Sequence, residues 1–303
     1  MPLHIDTPLL ESRALSAHSG RAVWLKMDAL QPSGSFKLRG IGAACEVHAG
    51  RGARRFVSSS GGNAGISAAH AGRRLGVPVV VVVPETTSQR ARELLRLEQA
   101  EVIVHGASWQ EANELALTML DEHDAFLHPF DDPLVWEGHA TLVDEVARAG
   151  LRPDAVVLSV GGGGLLSGVV AGMRRHGWED VPVVAVETGG AASLHRSLAA
   201  GRRVSLEAIT SIATSLGAKQ VCEQAFRLAR EHPLESVVVS DRDAARACLR
   251  LLDEQRVLVE PACGAALAVA YDTHPALADC HSVLVVVCGG VTATLPQLQG
   301  WAE

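Results

Sequence analysis

The chain is poor in lysine. Of its 27 lysines and arginines only Lys26, Lys37 and Lys219 are lysines, so chemistry that needs a primary amine has three candidates. Net positive charge is also missing: the formal charge is −7 and the pI about 6.0, against the basic face expected of a nucleic-acid binder. The six cysteines form no Cys-x-x-Cys pair. That excludes a recognisable disulfide framework or zinc site and favours a reducing, cytoplasmic setting. Residues Met1 to Leu10 show no basic stretch followed by an apolar run, so no signal peptide is expected. Intrinsic disorder is excluded by 48% hydrophobic and 20% charged residues. The 303 residues are enough for one large domain or two smaller ones.

One charge-free stretch, Ala155 to Met173, has the length of a membrane span. It carries Gly161, Gly162, Gly163, Gly164, Gly168 and Gly172, so a buried strand, a tight loop and a helix describe it better. Similar apolar runs recur at Val79–Val83, Val102–Val104, Ala155–Val160, Val181–Val186, Val237–Val239 and Val283–Val287. They are continuous rather than alternating, as in strands of a parallel sheet buried on both faces. Helical spacing separates them, most clearly in Ser88–Gln99, Trp109–His123, Gly138–Ala149 and Asp243–Glu254. The expectation is an α/β fold with parallel sheets. Turn-rich stretches at 31–34 and 128–133 suggest two crossings between lobes. Residues 31–134 would then be a small inserted domain, and residues 1–30 with 135–303 the large one.

Ligands of open parallel sheets sit at the carboxyl ends of the strands, so the loops there matter most. Gly161-Gly162-Gly163-Gly164-Leu165 follows a strand and precedes a helix. Its backbone N–H groups can converge on a dianionic phosphate, or the glycines can be a simple packing turn. It matches neither the dinucleotide fingerprint nor a Walker loop. Ser58 to Gly65 precedes a helix expected at Ile66–Leu75 and either caps it or holds a carboxylate. Lys37 follows Phe36 at a helix start, where an amine can lose pKa and become a nucleophile; a surface lysine is the alternative. Lys26 lies in the alternating run Val23–Asp28, read as an edge-like strand with a solvated lysine. Cys288 ends the last apolar run, as a small hydrophobe or a weak S–H donor. Phosphate cradle, carboxylate clamp, amine and neutral strand-end partner together suit pyridoxal phosphate acting on an amino acid.

Ser33–Gly40, Ser59–Gly65 and Gly161–Leu165 resemble the fold-type-II pyridoxal-phosphate enzymes, two open parallel-sheet α/β lobes with the cofactor in the cleft between them. Phe130–His139, Val259–Ala266 and Val287–Gly290 resemble the L-serine dehydratase branch in particular. The resemblance implies elimination of water from L-serine, giving pyruvate and ammonia, with L-threonine giving 2-oxobutanoate. Lys37 would anchor the cofactor and take the Cα proton, and Phe36 would flank the ring. Gly161, Gly162, Gly163, Gly164 and Leu165 would hold the phosphate, Asn63 the ring oxygen, and Cys288 would face the ring nitrogen. Ser60, Gly61, Asn63 and Ala64 would hold the substrate carboxylate. Gly161, Glu187, Ala191, Ser193, Leu216 and Ala218 match the ligands of a monovalent cation such as potassium, although Glu187 could instead be a cap in the loop after Val181–Val186. Racemases of the family carry serine where this chain has Gly61, and Ser215 replaces a ring-facing alanine. A homodimer without nucleic-acid or membrane partners is expected. A threonine deaminase, a β-replacement enzyme or a catalytically silent amino-acid binder are the alternatives.

Overall fold

Valine runs become the strands, and the strands sort into two sheets. The computed structural model describes residues 1–272 and 274–303. In chain order the strands are β1 (Leu9–Glu11), β2 (Ala22–Lys26), β3 (Arg55–Ser58), β4 (Val79–Val83), β5 (Glu101–Val104), β6 (Asp124–Phe126), β7 (Ala155–Ser159), β8 (Val183–Thr188), β9 (Leu234–Val239) and β10 (Ser282–Val286). One sheet has the order β1-β2-β10-β7-β8-β9, and the other β5-β4-β3-β6. All pairs are parallel except β1 with β2. Every residue of β4, β7 and β8 is buried, which is why their sequences run apolar without alternation. Each such valine removed from water contributes roughly 1.5–3 kcal/mol.

The helices between them are α1 (Arg13–Ser19), α2 (Lys37–Gly50), α3 (Asn63–Leu75), α4 (Gln89–Leu97), α5 (Trp109–Thr118), α6 (Pro133–Arg148), α7 (Gly164–Arg175), α8 (Ser193–Ala200), α9 (Glu223–Glu231), α10 (Asp241–Gln255), α11 (Pro261–Tyr271) and α12 (Leu295–Ala302). Three differ from the periodicity by three residues or more. Helix α6 starts at Pro133, not Gly138, because the Asp132 carboxylate accepts from Leu134 N at 2.7 Å and proline suits the first turn. Helix α3 starts at Asn63, before Ile66. Helix α5 stops at Thr118 rather than His123. The charge-free stretch divides into β7, the glycine loop and α7. No helix among the described residues is long and apolar enough to cross a membrane.

Lys26 overturns its sequence reading. Strand β2 lies between β1 and β10, not at an edge, and Lys26 is fully buried. Its amine donates to the Thr7 carbonyl and hydroxyl, both at 2.6 Å, and to Glu145. All six cysteines are free thiols.

The strand orders create two switch points. In the smaller sheet the order reverses between β3 and β6, and the loop from Ser59 leaves β3 there. In the larger sheet it reverses between β7 and β10, so the glycine loop after β7 and Cys288 after β10 emerge side by side. Such crevices are where open parallel sheets take ligands.

Candidate active site

Lys37 opens α2, and the turn before it is pinned to the end of β10. Ala29 N donates to Val287 O at 2.8 Å, Phe36 N to Cys288 O at 3.0 Å, and Gly290 N to Gly34 O at 2.9 Å. Gly34 has φ +77°, and a Cβ there would overlap Val291, so the turn needs glycine. Lys37 and Cys288 are thereby neighbours, although 251 positions separate them. The Lys37 side chain is half-buried. Its amine donates to Pro129 O at 2.6 Å and lies 5.2 Å from the Phe36 ring centre. Burial pulls its pKa down to about 8, outweighing Cys288, Cys222 and Glu260, which act to raise it.

The glycine loop lies across the Pro129–Phe130 turn from that amine. A Cβ at Gly162 or Gly164 would meet Phe130, and one at Gly161 would sit 2.9 Å from Leu216 Cα. Gly163 is left-handed, at φ +95°. Helix α7 has no side-chain cap. No hydrogen bond among the described residues takes the N–H groups of residues 161–166, so the helix start and its loop present a run of unpaired donors.

Helix α3 also starts without a side-chain cap, at Gly62. The N–H groups of Gly61, Asn63 and Ala64 likewise have no acceptor among the described residues. Ser60 Oγ accepts from Gly62 N at 3.4 Å, while Ser59 turns away to Asn113. A Cβ at Gly61 would come within 2.8 Å of the Thr87 methyl and 2.9 Å of its hydroxyl, so Thr87 fills the space that a side chain at 61 would take.

Asn63 is engaged more fully than the sequence suggested. Its Nδ2 donates to Glu260 Oε1 at 2.6 Å and to Ser215 Oγ at 3.2 Å, while Oδ1 accepts from Val291 N at 3.2 Å. Glu260 also accepts from Thr292 Oγ1 at 2.7 Å. Burial raises the Glu260 pKa against these donors. Sequence reasoning passed over Glu260, quoted only inside the Val259–Ala266 stretch; the signal was a lone carboxylate in an apolar run before a helix-starting proline. Cys288 is buried, and its bond to the Cys263 thiol, with burial second, lifts its pKa well above the ordinary range. It is a neutral thiol at neutral pH.

Gly161 touches Ser215 and Leu216, which ties the loop to the segment carrying Ala218. Glu187 is fully buried and accepts from Leu194 N at 2.9 Å and His195 N at 2.7 Å, so it caps α8 beside Ala191 and Ser193. Burial pushes its pKa up to about 7 against those donors. No group of three or more His, Cys, Asp or Glu able to hold a metal ion occurs among the described residues.

Comparison with known proteins gives this geometry a setting. The chain is 48% identical over 313 residues to the human L-serine dehydratase/L-threonine deaminase, covering 100% of this chain and 95% of that protein. It is 51% identical to a serine dehydratase-like protein of Rattus norvegicus, covering 98% and 94%. The crystal structure of a fungal L-serine ammonia-lyase from Rhizomucor miehei superposes with a TM-score of 0.94 at 35% identity, covering 99% of this chain and 98% of that one. Residues 1–289 match the family model described as pyridoxal-phosphate dependent enzyme. The chain belongs to the pyridoxal-phosphate-dependent enzyme family.

Proposed function

We propose that the protein is an L-serine dehydratase: it eliminates water from L-serine and releases pyruvate and ammonia, with 2-oxobutanoate from L-threonine as a secondary product. The observation that carries the reading is the Lys37 amine, with its pKa near 8, across a turn from the unpaired N–H groups of residues 161–166. Near-full-length identity to relatives named for this activity supports it.

The residues present fit pyridoxal phosphate. Unpaired N–H groups on a helix start suit its phosphate, Lys37 its aldehyde, the Asn63 amide its ring oxygen, and the Cys288 thiol its ring nitrogen. When bound, the cofactor supplies an electron-poor ring that takes up charge from the substrate Cα. Gly161 to Leu165 hold the phosphate, and Phe36 flanks the ring. Asn63 frees an N–H for the ring oxygen by giving up Ser215, the longer of its two bonds as donor. Ser60, Gly61, Asn63 and Ala64 hold the substrate carboxylate and so aim the Cα–H bond. Lys37, once free, takes that proton as general base. The neutral Cys288 thiol would leave the ring nitrogen unprotonated, which would favour departure of the β-hydroxyl with a proton, as water, over return of the proton to Cα.

We infer further that potassium binds Glu187 together with the carbonyls of Gly161, Ala191, Ser193, Leu216 and Ala218, an oxygen set suited to a hard cation. The lobes divide at 31–134 against 1–30 with 135–303, and the enzyme is a cytoplasmic homodimer, since two-fold assemblies predominate. Light scattering at twice the chain mass of 31.9 kDa tests the dimer.

The deciding assay mixes the cofactor-loaded protein with L-serine and follows pyruvate and ammonia in equal amounts. Bound cofactor without pyruvate removes the proposal. Exchanging potassium for choline lowers the rate in this assay, and Glu187→Gln makes it insensitive to the exchange. Cofactor uptake has its own signature. An amine of pKa about 8 is about one-tenth neutral at pH 7, and only the neutral form attacks an aldehyde. The uptake rate of the stripped protein therefore climbs with pH to an inflection near 8; a rise continuing past pH 10 would mean a solvated lysine.

A further inference from the structure

Three helices meet at His139. Helix α2 begins at Lys37 and α7 at Gly164, and α6 passes between them. A Cβ at Gly40 of α2 would lie 2.5 Å from Val135 O and 2.6 Å from His139 Cε1. One at Gly168 of α7 would lie 2.6 Å from Trp136 O and overlap His139 Cβ. The helix backbones thus touch through glycines, and the imidazole fills the junction. Gly40 and Gly168 stand one turn below the two helix starts, about 4.5 and 6 Å along each axis.

The imidazole has no exposed surface, and neither ring nitrogen has a hydrogen-bond partner among the described residues. An unpaired polar group in such a place costs about 1–3 kcal/mol and calls for a reason. Shape supplies it. The ring packs on Phe36 with centres 4.8 Å apart at 47°. Asparagine and glutamine offer no ring, leucine is not flat, and phenylalanine would drive a larger ring into Gly40. Histidine is the smallest aromatic side chain. Burial, followed by the positive charge of Lys37 and Arg39, keeps it neutral.

We propose that His139 is a positioning residue that sets the separation between Lys37 and the phosphate-binding glycine loop. It acts through Phe36 and the two helix starts and touches neither substrate nor cofactor. The inference rests on the roles given above to Lys37 and residues 161–165.

Two probes separate the arms of the site. Pyridoxine 5′-phosphate has an alcohol in place of the aldehyde and reads the glycine loop alone; pyridoxal 5′-phosphate reads loop and amine together. Both are titrated against full-length wild type, His139→Phe and His139→Asn stripped of cofactor. A misplacement of about 1 Å makes His139→Phe lose about a hundred-fold in affinity for the aldehyde form but less than about three-fold for the alcohol. His139→Asn changes in the same sense by less, and decides the matter if His139→Phe does not fold. Equal loss for both probes, or loss for neither, overturns the proposal. A wild type that does not prefer the aldehyde form overturns the role of Lys37 itself, which is a different result.

Discussion

Lys37→Ala lowers L-serine turnover by about four orders of magnitude or more, the scale expected when a general base and a covalent anchor vanish together. No other lysine can take over. Lys26 is fully buried and committed to Thr7 and Glu145, and Lys219 is exposed to solvent. The fold survives, because among the described residues the amine has one polar contact, Pro129 O, and no ion pair. The pH dependence of stability carries a sign as well. The folded pKa is depressed to about 8, so the charged amine disfavours folding below that pH, and the penalty is relieved as pH rises from about 8 toward 10.5. Lys37→Ala therefore raises the melting temperature relative to wild type more at pH 7 than at pH 10. The variant still binds pyridoxal phosphate through the glycine loop, but borohydride fixes none to the chain. Near-wild-type turnover, or borohydride labelling at another lysine, would falsify the assignment.

What the sequence disclosed depended on whether the signal was local. Strands β4, β7, β8 and β10 were legible because burial on both faces writes continuous valine. The glycine loop was legible because glycine is needed at each close approach to Phe130, Leu216 and Ala225. Three-residue β1 and β6 left no pattern. Helix α11 is buried throughout its length, so it has no polar face and no period to read. Lys26 was misread for a tertiary reason: the alternation of Val23 to Met27 resembles a half-exposed strand, while its partner Glu145 lies 119 positions away. Glu260 and His139 were visible only as letters in family-like stretches. Their roles depend on Asn63 and Phe36, brought to them by the two switch points and the α2–α6–α7 junction.

The largest loss of stability is expected from Arg39→Met. Arg39 follows Lys37 by two residues, faces the opposite way and is fully buried. Its guanidinium grips Asp28 through two bonds of 2.7 and 2.9 Å, and donates to Glu145, to Thr141 at 3.1 Å and to Thr7 at 3.1 Å. With Lys26 bound to the same Glu145, the cluster has two cations and two carboxylates. Desolvation works against Arg39 in its charged form, yet Asp28 and Glu145 outweigh it and hold its pKa above the ordinary value. Methionine keeps much of the volume but strands one carboxylate charge inside, which costs about 3–5 kcal/mol. The urea midpoint should fall accordingly. Arg39→Met with Glu145→Met balances charge again and recovers part of the loss, a non-additivity that measures the coupling. Acid acts on the same cluster. Desolvation raises the Glu145 pKa, but Arg39 and Lys26 bring it below the ordinary carboxylate value. Its contribution is therefore present above that value and is lost as pH falls through the lowered one, and Arg39→Met flattens that limb of the stability profile. Since the cluster joins the start of α2 to α6, β2 and the N-terminal arm, Lys37 loses its fixed place too. Arg39→Met should lower kcat even where the chain remains folded, whereas unchanged stability and kcat would mean that these buried charges neither hold the lobes together nor position the amine.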